Sequence, residues 1–404
     1  MEVRAMPWKE VSLMEEREKM IDDWLAREHS IQELSEIYSV SRKTIYKWIA
    51  RFKRYGRAGL QDRSRAALHH PNQTSPEIIL LLEQTKLRFP SWGPKKLVHW
   101  LNQHYPGINF PSAGTSGYWL KRLGLVRPRK RRRRVEPYSQ PFINCDEPND
   151  VWSIDYKGQF KMRDGKYCYP LTMSDNNSRY LLLCHGLLSP NYDETRLWID
   201  WVFREYGLPI AIRTDNGTPF SSTCFAGLSR LSIHWIKLGI RPERIDKGHP
   251  EQNGRHERMH KTLKEWILSE KGSNIAEQQI LFERFRNEYN NERPHEALSQ
   301  QTPASQYRSS TRKYPARIKR HDYSECDEVR KVKPHGDISY LGKRWFLTEL
   351  LRREEVGLCE IEDDKMQVYF YTIPIAKLNL RSGKVEKNDC QKKRCSNNRH
   401  HSKS

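Results

Sequence analysis

Val151-Trp-Ser-Ile-Asp155-Tyr-Lys-Gly158 decides the fold of this chain. Trp152, Ile154 and Tyr156 alternate with Ser153, Asp155 and Lys157, the period of a half-buried strand, so Asp155 points away from the apolar face. Downstream, Arg163-Asp164-Gly165 reads as a hairpin turn and Tyr167–Met173 as the returning strand. Arg179–Leu187 is a continuous apolar run, as expected of a central strand. Tyr192–Tyr206 has the pattern of an amphipathic helix, and Pro209–Arg213 that of a short buried strand ending at Asp215. A side chain just past the carboxyl end of a strand faces the crevice where an α/β sheet binds its ligands. Gly217 and Pro219 then turn the chain.

The third acid lies in Gly248-His-Pro-Glu251-Gln-Asn-Gly254. The pattern predicts a helix opened by Glu251, with Pro250 at its first position and an end near Leu268. Met259, Leu263, Trp266 and Ile267 share its core face, while Glu251, Gly254, Arg255, Arg258 and Thr262 fall on an adjoining one. The alternative for Glu251 is an acid that merely complements the helix dipole. There are 59 residues between Asp155 and Asp215 and 35 between Asp215 and Glu251. Spacing proves little where acids are this common; the local sequences carry the weight. Strands in hairpin order, a helix, a strand and an acid-bearing helix make a central α/β core of ribonuclease-H-like arrangement, in which distant carboxylates converge. Oxygen ligands with neither Cys nor His nearby, His249 apart, favour two Mg²⁺ ions, with Mn²⁺ as a substitute. Asp175 reads either as an outer acid of this site or as a turn residue.

In 404 residues, 71 Lys plus Arg against 50 Asp plus Glu leave a net charge of +21, which calls for a polyanionic partner. Double-stranded DNA leads. An anionic membrane is a weak second, because the longest apolar runs are far too short to span a bilayer. No charged-then-apolar leader is present, and the scattered cysteines at 145, 168, 184, 224, 326, 359, 390 and 395 fit a reducing, cytoplasmic setting. Cys390 and Cys395, with His400 and His401, invite a zinc reading, but their spacing departs from the C-x2–4-C pattern.

The flanks differ from the core. Residues 8–53 read as three helices: a stripe through Val11, Met14, Met20, Ile21, Trp24 and Leu25, then Ile31, Leu34 and Ile37, then Ile45, Trp48, Ile49 and Phe52, with Ser41 as an N-cap. The tight Tyr38–Ser41 turn makes this a helix-turn-helix whose third helix offers Arg42, Lys43, Thr44 and Lys47 to DNA. The other reading is a helical bundle with a solvated basic face. Residues 75–126 form a second helical unit, helix-turn-helix-like, with Leu97, Val98, Trp100 and Leu101 on one helix, Tyr118, Trp119 and Leu123 inward on the next, and Lys95, Lys96, Lys121 and Arg122 toward DNA. The basic linker 127–149 contains seven cations between Arg127 and Arg134. The core covers 150–308. Five short alternating strands in 325–382 predict a small antiparallel β-barrel, and 383–404 a basic disordered tail.

At Asp155, Asp215-Asn-Gly217, Gly248–Gly254, Arg255–Lys264 and Tyr289-Asn-Asn-Glu-Arg293-Pro-His295-Glu-Ala-Leu298, the chain resembles the bacterial insertion-sequence transposases with a retroviral-integrase-like (DDE) core. The resemblance covers most of the chain and is strongest over 150–308. It implies that Asp155 bridges both metal ions, Asp215 holds one and Glu251 the other, and that Arg258, with Arg255 and Lys261 beside it, contacts end DNA. It implies binding of terminal inverted repeats, cleavage at the element ends and joining to target DNA by at least a dimer. The integrases' His-His-Cys-Cys zinc module is missing, and the helical units stand in its place. A non-catalytic DNA-binding regulator and a structure-directed nuclease are the competing expectations.

Overall fold

A computed structural model of the chain describes residues 12–64, 73–126, 145–215, 217–220, 227–245, 250–362 and 364–387, and of Pro250 and Glu251 the backbone alone. Val11, Asn216, Cys224, His249, the basic run 127–134, Cys390, Cys395 and the tail from 388 lie outside the described residues. The chain divides into two compact units, Met1–Gln73 and Thr74–Ser404.

The first unit is three helices, α1 (Leu13–Ala26), α2 (Ile31–Ile37) and α3 (Arg42–Tyr55). Each starts where a serine hydroxyl accepts a backbone N–H of the first turn: Ser12 from Glu15, Ser30 from Glu33, and Ser41 from Thr44. Such a cap satisfies one of the donors a helix start leaves open and contributes about 1 kcal/mol. Met20, Ile21, Leu34, Ile45, Trp48, Ile49 and Leu60 close the core, whereas Leu25 and Ile37, expected inside, are exposed.

The second unit begins with α4 (Pro76–Arg88), α5 (Pro94–His104) and α6 (Ala113–Arg122) around a core of their own that includes Leu82, Trp92, Leu97, Leu101 and Leu120. Here the expected register of α6 was one residue out: Leu120 and Ser116 are buried, Trp119 is half-buried, and Tyr118 and Leu123 face outward. Aromatic residues outweighed the small Ser116 in the periodicity, yet the small side chain lets α6 close on its neighbours.

The central region follows as β1 (Val151–Tyr156), β2 (Phe160–Lys161), β3 (Tyr167–Asp175), β4 (Leu181–Leu187), α7 (Tyr192–Tyr206), β5 (Ala211–Thr214), α8 (Arg230–Lys237), β6 (Arg241–Arg244), α9 (Gly254–Ser269), α10 (Ile275–Asn287) and α11 (Pro303–Gln306). β3 pairs antiparallel with β1, β4 and the short β2, while β1, β5 and β6 run parallel. One face of the sheet packs against α7 and α8 through Trp152, Ile154, Phe203, Leu231 and Trp235, and the other against α9 and α10 through Leu181, Met259, Leu263 and Phe282. Covering both faces explains why all of Val151–Ile154 is buried where alternation predicted one wet face. This is the expected integrase-type α/β core, with α8 and β6 added between Asp215 and Glu251.

The last strands are β7 (Glu328–Lys331), β8 (Asp337–Tyr340), β9 (Lys343–Phe346), β10 (Glu355–Glu362), β11 (Lys365–Phe370), β12 (Ile373–Asn379) and β13 (Lys384–Lys387). The five expected strands are present, with β7 and β13 besides. The sheet is open, in the order β13-β12-β11-β10-β7, with β8 and β9 a separate hairpin, so no closed barrel forms among the described residues. Its core instead closes on α8, whose Ile233 and Ile236 pack with Leu351, Val368 and Ile375. Residues 384–387 belong to this sheet rather than to a tail.

Candidate active site

The parallel register of β1 and β5 pairs Val151 with Ala211, Trp152 with Ile212 and Ser153 with Arg213. The same offset carried two residues on sets Asp155 level with Asp215, and side chains at matched positions of parallel strands point the same way. The separation of the two aspartates is therefore an excursion that returns in register. Their proximity shows in Asp155, whose carboxyl is about one-fifth exposed. Burial, and after it the negative charge of Asp215, push its pKa up to about 7.

Asp215 is held from its own loop. The Gly217 N–H donates to Asp215 Oδ1 at 3.0 Å. A Cβ at position 217 would lie 2.9 Å from Asp215 Oδ2 and 3.2 Å from Oδ1, so only glycine leaves the carboxylate where it is.

Glu251 sits in a one-turn 3₁₀ helix, Pro250–Asn253, ahead of α9, rather than in the first turn of the α-helix itself. That turn is tied to both aspartate strands. The Ser153 hydroxyl donates to Asn253 Oδ1 at 3.0 Å, and Arg213 Nη1 donates to the Gln252 carbonyl at 3.1 Å. Ser153 and Arg213 each stand two residues before an aspartate, so the backbone of Glu251 arrives at the ends of β1 and β5. Among the described residues, no three acid, imidazole or thiol groups assemble a complete metal-binding set.

Two histidines that the sequence reading passed over lie beneath Asp155. His256 and His260 are buried on the core face of α9, one turn apart. Both Nε2 atoms contact Thr172 Oγ1, at 2.9 and 2.6 Å, and Ser174 Oγ lies 2.7 Å from His256 Nδ1. Thr172, paired with Asp155 across β1 and β3, donates to the Asp155 carbonyl at 3.0 Å. A hydroxyl has one proton and two lone pairs. The tautomers that satisfy every partner therefore put hydrogens on both Nε2 atoms, with Ser174 donating to His256 Nδ1. Burial pulls the His256 pKa down to about 3 and lowers His260 further, aided there by His256 and Lys157, so both rings are neutral. The signal for them was the i, i+4 spacing of His256 and His260 on the same stripe as Met259 and Leu263.

Asp175 is a turn-former. Its buried carboxylate accepts from the Asn149 N–H at 2.8 Å and from the Ser178 N–H and hydroxyl at 2.7 and 2.6 Å. Of the cations expected on DNA, Arg258 and Lys261 are exposed on α9, but Arg255 is half-buried and donates to the Asn176 carbonyl at 2.9 Å. In the first unit, Arg42, Lys43 and Lys47 are exposed along α3, while the Thr44 hydroxyl lies 2.9 Å from that of Ser41, within the cap.

Residues 238–303 match the family model for an integrase core domain, residues 16–67 a helix-turn-helix domain and residues 44–120 a homeodomain-like domain. An insertion element IS476 protein of Xanthomonas euvesicatoria is 29% identical over 254 residues, 60% of this chain and 68% of that one. An insertion element IS407 protein of Burkholderia multivorans is 29% identical over 184 residues, 44% of this chain and 62% of that one. The chain is thus similar to insertion-sequence proteins and carries matches to an integrase core domain and helix-turn-helix domains. Among solved structures, the HTLV-2 integrase catalytic core in complex with magnesium matches at 16% identity with a TM-score of 0.32, over 40% of this chain and 98% of that chain. No helix among the described residues is long and apolar enough to cross a membrane.

Proposed function

We propose that the chain is a transposase that binds the terminal inverted repeats of its element, cleaves at the element ends and joins the freed 3′-hydroxyl to target DNA. The observation that carries this reading is the level placement of Asp155 and Asp215 at adjacent parallel strand ends, with the Glu251 turn tied to both strands. The donor set fits a hard divalent cation. It offers carboxylate oxygens without thiols, and the Asp155 carboxyl is raised by burial and then by the negative charge of Asp215, which a bound cation would offset. Asp155, Asp215 and Glu251 would hold two Mg²⁺ ions, or Mn²⁺ in their place. When bound, the ions activate the attacking water or 3′-hydroxyl and stabilise the leaving oxygen of an in-line displacement.

The protein's own part is positioning. Gly217 fixes the Asp215 carboxylate, Thr172 fixes the strand at Asp155, and Asn253 and Gln252 seat the Glu251 turn. The exposed Arg258 and Lys261 on α9 supply positive charge for end DNA, with Arg255 beside them as a support for the Asn176 turn. Arg42, Lys43 and Lys47 on α3 suit phosphates and base edges in a major groove, with Thr44 setting the helix start. Two ends cut together call for at least a dimer, and DNA in the cytoplasm is the expected substrate.

A strand-transfer assay on a labelled element end with Mg²⁺ tests the reading. Joined product supports it. Cleavage without joining identifies a nuclease, and binding without reaction a DNA-binding regulator.

A further inference from the structure

Of the two α5 lysines expected toward DNA, Lys95 is exposed while Lys96 is half-buried against the core. Among the described residues, the second helical module and the central core share no apolar cluster, and polar side chains join them. Arg88 pairs with Glu292 at 2.7 Å and Lys95 with Glu296 at 3.3 Å. Lys96 Nζ donates to the Pro294 carbonyl. Arg293 reaches Ser91 Oγ at 3.3 Å with one nitrogen and Thr262 Oγ1 at 3.5 Å with another, so its guanidinium spans from the loop before α5 to α9. Thr262 lies one turn beyond Arg258, whose carbonyl accepts its hydroxyl at 3.3 Å.

Lys96, Arg293 and Arg258 lie close together at this junction, with Glu292 and Glu296 engaged by Arg88 and Lys95. Burial, then the nearby charge of Arg293, pull the Lys96 amine down to about 7, with Glu296 opposing and Arg258 adding to the fall. His295, in the same turn, is lowered by burial and then by Lys96 and Arg293, and its Nε2 is buried without a hydrogen-bond partner. Glu265 and Glu288 lie within reach of Arg293 and temper its charge. The amino end of α5 adds to the field. Its N-cap is Gly93, no side chain caps it, and its first turn carries Lys95 and Lys96 with no acid. A helix start presents unsatisfied N–H groups and a positive dipole end, so lysines there raise the energy unless an anion arrives.

We infer that the amino end of α5, Lys96, Arg293 and His295 form a seat for one backbone phosphate of double-stranded DNA. The seat lies between the second helical module and the helix that follows Glu251. A phosphate bound there neutralises the crowded cations and draws α5, the Arg293–His295 turn and α9 together. The inference rests on the DNA-binding part of the proposed function and on none of its chemistry.

The test is anisotropy of a labelled random-sequence duplex with the full-length protein across a KCl series, without divalent metal. Each neutralised phosphate contributes about 0.9 to the slope of log K against log salt. Lys96→Gln and Arg293→Gln are each expected to lower that slope by about one contact. The double variant should lose no more than one contact in total, because both side chains serve the same phosphate. Lys96→Arg keeps the wild-type slope, and Glu296→Gln, which removes the opposing acid, tightens binding about threefold. Slopes and affinities equal to wild type in Lys96→Gln, Arg293→Gln and Glu296→Gln overturn the seat. Additive loss in the double variant also overturns it, since two separate contacts would then be at work. Should either Gln variant fail to fold, Glu296→Gln and Lys96→Arg still decide. A wild-type protein that binds no duplex at all refutes the functional reading instead.

Discussion

His260 Nδ1 stands 3.8 Å from Asp155 Oδ2, close enough to share an electrostatic environment and too far for a direct hydrogen bond. The ring is neutral, and with its Nε2 hydrogen committed to Thr172 it turns a lone pair toward the carboxylate. Asp155 therefore gains no fixed positive partner from the protein on this side, which leaves its charge for a divalent cation. His260→Ala takes a donor from Thr172 and opens space under the strand that carries Asp155. Partners of this kind commonly cost about 10–100-fold in metal affinity when removed. The same loss is expected here in Mn²⁺ binding, with His260→Gln, whose amide reaches Thr172, recovering most of it. Unchanged Mn²⁺ affinity in the alanine variant would show that the histidine merely fills space.

Asp155→Asn should abolish cleavage and leave DNA binding intact, and its effect on stability should depend on pH. The folded carboxyl titrates at about 7, above the ordinary value of 3.8. Between those two values the native state holds a proton that the unfolded chain has released, so stability falls as pH rises from about 4 to about 7. In metal-free protein the asparagine variant is expected to melt above wild type at pH 8 and close to it at pH 4. The gain is no more than a few kcal/mol, because the group keeps some contact with water. A variant that melts lower than wild type at pH 8 contradicts the raised pKa.

Gly217→Ala places a methyl against the Asp215 carboxylate. The carboxylate ends a short side chain and must rotate away, so metal-dependent cleavage is expected to fall by about tenfold or more while the melting temperature barely moves. Wild-type cleavage rates would mean that Asp215 works from another position.

Arg42→Ala with Lys47→Ala removes exposed cations from α3 without touching Ile45, Trp48 or Ile49. Competition binding should show a larger loss for the element's own ends than for random duplex. Equal losses would reduce α3 to a phosphate contact.

Much of this architecture was legible because local chemistry and packing agree. Ser41 begins a helix where the sequence placed it, and the second helical unit starts at the expected residue 75. The strand ends of Asp155 and Asp215 followed from alternation and a turn-forming glycine. The misreadings arose where tertiary contacts override a local pattern. α8 and β6 were missed because the apolar residues of this short helix point two ways, Leu231 and Trp235 into one core and Ile233 and Ile236 into another, which blurs the single apolar face a pattern would show. The expected barrel failed because closure depends on whether edge strands pair, which short alternating runs do not encode. The bond of Lys96 to the Pro294 carbonyl was not foreseen, because a partner 198 residues away leaves no mark in the local sequence. Asp175 was left open between two readings and proved a turn residue, held by Asn149 and Ser178.

The most direct test is Mn²⁺ titration by calorimetry of wild type beside Asp155→Asn, Asp215→Asn and Glu251→Gln, with cleavage followed in parallel. If the three carboxylates meet at one site, each substitution weakens the same binding event by at least about tenfold and stops cleavage. A Glu251→Gln protein that binds Mn²⁺ and cuts DNA like wild type would contradict the account.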